Sequence, residues 1–473
     1  MTDETALNSQ IWPSRLRSGR PLANHRRYQT TLSAVALVVL AVALSWTHWS
    51  GPVRWTPDAL FYEAQSRELA GTPAIKARRE VFFGPLANQS SATSGRLEGT
   101  EWINYAAPFY RRRWVVPAMA AGLRPALGSR SLQIVSLLGY VLSGLLAYFL
   151  SRRRFSNGLS LSVAAFALWF PPLREWSGYP LTDSMGVAAL TLALITGLWA
   201  MRGQWPRIAV WSLSVLLLSF TRDTAVVAVA AAVGLALTRR SRRAIALACS
   251  GALATLPALV FFGAPMRATM AFTFSDNGVP RTSSWGYIFH EYGTFARYMV
   301  QVDFPFRTHL LACFALTALV ALLATSPKRN SIRHRIRQIA LAGSATSLLI
   351  LLVLIAPLQL PSIADPVPAG VFLIACLLPL FAPARGDDVV TLARYGGIAA
   401  VAYLFLLPQA TELRLSLVVL PFAAIGFARG ISWAWDAPRE NGSSLAQSPL
   451  LTAATRRERE TKADCIRELL ARS

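Results

Sequence analysis

The chain is short of charge, lysine, histidine and cysteine, and each shortage excludes a class of protein. Only 15% of its 473 residues are charged while 53% are hydrophobic, in long uninterrupted runs. That balance excludes an ordinary soluble domain and marks an integral membrane protein. Lys76, Lys328 and Lys462 are the only lysines, and the remaining basic residues are arginines. We read that bias chiefly as genome composition, with ligand binding as a second explanation. Of the four cysteines, Cys249, Cys313 and Cys376 fall in apolar runs and Cys465 in a polar tail. None is placed for a disulfide, and no Cys/His spacing fits a metal site. His290-Glu291 lacks the second histidine of a zinc-protease helix. No internal repeat stands out.

Acidic residues are outnumbered, 24 against 47 basic, for a formal charge of +23. In a soluble chain that excess would point to nucleic acid. Here the basic residues gather in short connections between apolar runs, so they report topology and no nucleic-acid partner is expected. The runs fall at about 30–48, 131–150, 159–170, 184–201, 208–220, 223–238, 244–263, 306–325, 339–357, 367–382, 396–408 and 413–429, roughly twelve spans. The first follows an arm carrying Arg15, Arg17, Arg20, Arg26 and Arg27, which is long for a signal peptide, so an uncleaved first helix is expected.

With that arm cytoplasmic, alternate connections hold Arg152-Arg153-Arg154, Arg202 with Arg207, Arg239-Arg240 with Arg242-Arg243, Lys328 to Arg337, and Arg385 with Arg394, before the arginine-rich tail. Every one is basic, which is the positive-inside pattern. The expected architecture is an all-α integral membrane protein, a polytopic bundle of about twelve transmembrane helices with both termini cytoplasmic. It divides into a basic arm (1–29), a membrane domain (30–429) and a polar tail (430–473), with large outer loops at 50–130 and 264–305. Both loops carry interfacial helices in this reading, one of them over 108–127 and another over 284–302.

The first outer loop opens with Thr56-Pro57-Asp58-Ala59-Leu60-Phe61-Tyr62-Glu63-Ala64-Gln65. Thr56 reads as an N-cap with Pro57 at the first helical position, and Gly71 with Pro73 closes the helix. Asp58 then sits in the first turn, where the helix dipole favours an ionised carboxylate able to take a proton from a hydroxyl group. Tyr62 and Gln65 share its face and Glu63 points elsewhere, which excludes a retaining carboxylate pair. A plain helix cap explains Asp58 equally well from local pattern.

Collected by topology, Asp58, Arg111 to Arg113, Arg174, Glu175, Asp183, Arg222, Asp223, Glu412 and Arg414 share the outer face. Charges of both signs at span ends imply an outward polar cavity. Arginine's planar fork suits a phosphate, and a phosphate whose tail lies among apolar helices is lipid-linked. Each element also has a plainer reading: Asp183 as a cap, Arg222-Asp223 as a turn with an ion pair, Arg111 to Arg113 as an interfacial anchor, Glu412 with Arg414 as a mutual pair.

Pro57-Asp58-x-x-x-Tyr62, Tyr110-Arg111-x-Arg113 leading into Val116-Pro117, and Tyr179-x-Leu181-Thr182-Asp183 together resemble the polytopic glycosyltransferases of the GT-C fold. Arg222-Asp223 and Glu412-x-Arg414 are similar to features of uncharacterised bacterial members. The resemblance covers most of 30–429. It implies transfer of a sugar from a polyprenyl-phosphate donor to a glycan, lipid or protein acceptor, among membrane lipids, at the outer face of the cytoplasmic membrane. It implies catalytic roles for Asp58 and Asp183, and substrate binding by Tyr62, Arg111, Arg113, Arg174, Arg222, Glu412 and Arg414. No cofactor is implied, and metal dependence is left open. The chain departs from the family in lacking a tandem acidic pair in the first loop and a soluble domain after the spans, which sets aside the oligosaccharyltransferase and protein-mannosyltransferase branches. The rivals are a twelve-span secondary transporter or lipid flippase, and a lipid-linked glycan polymerase or ligase.

Overall fold

A computed structural model describes residues 19–86, 100–274, 284–302, 376–381, 387–406 and 417–436, with residues 282 and 373. The expected spans at 306–325 and 339–357, together with Glu412 and Arg414, lie outside the described residues. The described residues are all-helical, with no strand among them. The helices are α1 (Gly19–Leu44), α2 (Trp46–Ser50), α3 (Pro57–Leu69), α4 (Ala74–Phe82), α5 (Thr100–Arg111), α6 (Val115–Leu127), α7 (Ser131–Arg152) and α8 (Asn157–Trp169). They continue as α9 (Pro171–Ser177), α10 (Asp183–Met201), α11 (Pro206–Thr221), α12 (Ala225–Arg239), α13 (Arg242–Phe274), α14 (Trp285–Val302), α15 (Asp388–Leu406) and α16 (Leu420–Asp436).

Among the described residues, three stretches are long and apolar enough to cross a membrane: Val115–Arg152 through α6 and α7, Asp183–Met201, and Arg242–Phe262. The third turns its apolar side chains outward, with Leu253 63%, Phe261 73% and Val260 77% exposed. An apolar surface of that extent suits lipid tails and would be a liability in water.

Two cores organise the molecule. The larger packs α1, α7, α8, α10, α11, α12, α13, α15 and α16 around residues such as Tyr140, Leu190, Trp211 and Phe422. The smaller joins α3, α4, α5 and α6 to the first turns of α7 and α10 through Leu60, Phe61, Tyr62, Val116, Leu132 and Leu181. It forms a cap on one end of the bundle. The cap helices are seated by α7 and α10, which approach each other closely at Gly139: a Cβ there would lie 2.5 Å from the Met185 nitrogen. Ser136 and Ser184 side chains meet at 3.2 Å across the same contact. Small residues letting two apolar helices touch backbone to backbone is the usual device of membrane bundles.

Several expected boundaries change. The single helix expected over 108–127 is two, broken between Arg111 and Val115. Pro117 explains the break, because it has no N–H for the carbonyl of Arg113 and its ring would collide with that group in a continuous helix. The span expected to stop at 263 continues as α13 to Phe274, so the second outer loop starts later. α15 begins at Asp388, which puts Arg394 inside the helix, where it donates to the Leu380 carbonyl at 2.7 Å. α16 runs to Asp436, into the segment assigned to the polar tail.

Candidate active site

α3 forms as its sequence dictates. The Thr56 hydroxyl accepts from the Ala59 N–H at 3.2 Å, Pro57 occupies the first position, and Gly71 takes a positive φ of 98° just past the C-terminus. Asp58 is therefore in the first turn, and the Tyr110 hydroxyl donates to its Oδ1 at 2.6 Å. Tyr110 comes from α5, held flat against Phe61 with ring centroids 4.4 Å apart. Burial first, and then the Asp58 charge, push the Tyr110 hydroxyl well above its ordinary range, so it remains a donor.

One helical turn on from Asp58, Tyr62 is buried and enters a continuous polar chain. Arg113 Nη1 donates to the Tyr62 hydroxyl at 2.8 Å, which lies 3.4 Å from Thr182 Oγ1. Arg222 Nη1 donates to that same Thr182 oxygen at 3.4 Å and stands 2.8 Å from Asp183 Oδ1. The Arg222–Asp183 contact is a charge pair without hydrogen-bond alignment, since Asp183 Oδ1 has no hydrogen-bond partner. Asp183 is the first residue of α10, in the turn where the helix dipole favours a carboxylate, and Thr182 before it makes no side-chain cap.

Arg112 and Arg113 sit in the break between α5 and α6, released from helical geometry and aimed at the turn between α11 and α12. Their Nη2 atoms both donate to Asp223 Oδ2, at 2.5 and 2.6 Å. The Phe109 ring lies under both guanidiniums, 4.1 and 4.7 Å from its centroid. Burial alone would raise the Asp223 carboxyl, but Arg112 and Arg113 outweigh it and hold it at about 2. Gly186, one turn into α10, leaves room for Arg222: a Cβ there would be 2.9 Å from its Cδ.

The structure thus brings together Asp58, Tyr62, Arg113, Asp183 and Arg222, and adds Tyr110, Arg112, Thr182 and Asp223. Tyr110, Thr182 and Asp223 stood in the quoted motifs, and Arg112 was flagged only as a member of a charged face. Nothing in the local pattern distinguished Gly186. Arg111 and Arg174 lie elsewhere. Arg111 points to the outer surface of the cap and pairs with Glu68 at 3.0 Å. Arg174 is on α9, where its carbonyl accepts from the Ser177 hydroxyl at 2.6 Å. Glu63 is fully buried between Arg67 at 2.9 Å and Arg124 at 2.7 Å, a pairing that its position away from Asp58 did not suggest.

Beside Arg222 lies a narrow cleft, with room inside its mouth for about one water molecule. Asp183, Arg222 and Thr224 line its polar part; Val187, Leu190, Leu417 and Val418 line the rest, with Tyr403 between. Among the described residues, no three acidic, histidine or cysteine side chains converge to hold a metal ion. No protein-family model and no curated protein sequence matches the chain.

Proposed function

We propose that this chain is an inverting glycosyltransferase of the GT-C type, moving a sugar from a polyprenyl-phosphate donor to an acceptor hydroxyl at the outer face of the cytoplasmic membrane. The observation that carries the reading is the cleft in which Asp183 and Arg222 stand over Val187, Leu190, Leu417 and Val418. A phosphate with a hydrocarbon tail matches that sequence of surfaces, whereas a water-soluble nucleotide sugar has nothing to place against the apolar wall.

In this mechanism Asp58 accepts the proton of the acceptor hydroxyl as the acceptor oxygen bonds to the sugar's anomeric carbon. The bond from that carbon to the phosphate oxygen breaks, and its electron pair leaves with the polyprenyl phosphate. A departing phosphate is a weakly basic anion, so it needs fixed positive charge more than an acid. Arg222 supplies that charge, and Asp183 holds its guanidinium in place. Arg112 and Arg113 are already engaged by Asp223, and Arg113 also positions Tyr62. The remaining spans expected from the sequence complete a bundle of about twelve, with the cap on the outer side.

The test is Asp58→Asn in purified protein. The substitution preserves size and most hydrogen bonding but loses the base, so turnover should drop by about a hundred to ten thousand times with donor still bound. Near-normal transfer would return Asp58 to the role of a helix cap.

A further inference from the structure

The aromatic cluster of the cap ends in one polar atom. Tyr110, near the C-terminus of α5, lies flat on Phe61 with ring centroids 4.4 Å apart and 5° between the planes, and it makes edge contacts with Tyr62 at 5.4 Å and Phe109 at 5.2 Å. Stacked and edge-to-face pairs of this kind hold a ring in one orientation. That orientation sends the Tyr110 hydroxyl to Asp58 Oδ1, at 2.6 Å. Phe61 and Tyr62 follow Asp58 by three and four residues on α3, so the turn of helix that carries the carboxylate also carries rings that aim the hydroxyl at it.

A phenylalanine would keep every one of those ring contacts. What the hydroxyl adds is a donor to a carboxylate. The ionisable groups around it are Asp58, Tyr62 and Arg113. Burial first, and then the Asp58 charge, keep the proton on Tyr110, so it donates across the whole range in which a carboxylate titrates. A charge-assisted bond from such a donor favours the ionised carboxylate over the protonated one and holds it in a single orientation.

We infer that Tyr110 is a positioning residue for Asp58: its hydroxyl anchors Oδ1, keeps the carboxylate ionised and sets its direction toward the acceptor hydroxyl. The role in transfer rests on the transferase reading above; the hold on Asp58 does not. A base held in one orientation meets its proton donor without first reorganising, and a displacement of about 1 Å is enough to lose much of the rate.

The experiment compares wild type with Tyr110→Phe as full-length protein in detergent, through the pH dependence of carbodiimide attack on Asp58, which requires the protonated carboxyl and is read at that residue by mass spectrometry. Loss of the donor should raise the pH of half-maximal modification by about one unit, the scale of one hydrogen bond to a charged group. Sugar transfer should fall about tenfold, with the acid limb of its pH profile displaced upward by the same interval. In an Asp58→Asn background the same substitution should cost little more, because the group through which it acts is gone. Phenylalanine keeps the ring contacts, and a cooperative unfolding transition shows that the variant is folded. An unmoved modification midpoint, or an equal loss of transfer in both backgrounds, would overturn the inference. A shifted midpoint in a protein whose wild type transfers no sugar refutes the transferase reading and leaves the hold of Tyr110 on Asp58 standing, whereas transfer with an unmoved midpoint overturns the inference alone.

Discussion

At the scale of single residues, the site is a set of charges that neutralise one another. Asp223 illustrates how tightly, because one of its oxygens accepts from two arginines. Its folded-state pKa of about 2 lies below the ordinary carboxyl value of 3.8. The sign follows directly: a depressed carboxyl stabilises the fold above its unfolded pKa, and that contribution is lost as pH falls through the folded value. The triad should therefore contribute a constant amount from about pH 5 to 8 and fade only between about 4 and 2. The check is the gap in unfolding temperature between wild type and Asp223→Asn, measured across that range. It should be flat above about pH 5, and a gap that closes near neutrality would mean that Asp223 is not held by Arg112 and Arg113.

At the scale of elements, α3 has two faces with different work. One presents Asp58 and Tyr62 to the site, and the other buries Glu63 against Arg67 and Arg124, with Arg67 reaching on to Glu80 of α4 at 3.1 Å. Glu63 thus ties α3, α4 and α6 into one cap. Removing one member of a buried ion pair leaves the others uncompensated, so Glu63→Gln should cost about 3 kcal/mol of stability. Thermal unfolding in detergent tests this, and an unchanged midpoint would show that the cap is held by its apolar core alone. What was legible in the sequence here was local: Thr56 capping, Pro57 at the helix start and Gly71 at its end are each set within a few residues. The apolar runs also located α7, α8, α10, α11 and α12 closely, since each run is bounded by charged or turn-forming residues. The Glu63–Arg124 pair spans 61 positions and Arg113–Asp223 spans 110, and periodicity carries no information about such partners. The break before α6 was readable from Pro117, but the alternation of basic and apolar residues masked it.

At the scale of the whole molecule, ion pairs mark both ends of the bundle. The candidate site and the cap occupy one end, while Arg154–Asp387 and Arg239–Asp388, each with charged oxygen and nitrogen within 2.6 Å, close the other. The proposed mechanism requires the cap outside the cell and those pairs within it. In a background lacking the native cysteines, Lys76→Cys should react with an impermeant maleimide in intact cells and Arg153→Cys should not. The opposite pattern would place the site in the cytoplasm and invert the mechanism.

The most direct test of the central claim is mass spectrometry of the lipid that copurifies with the full-length protein. The account predicts a polyprenyl phosphate carrying a sugar, bound to wild type and retained by Asp58→Asn, but strongly depleted in Arg222→Gln, with Arg222→Lys restoring little because an ammonium offers a point charge in place of a fork. Finding only bulk phospholipids with wild type, or the same polyprenyl phosphate equally bound to Arg222→Gln, would contradict it.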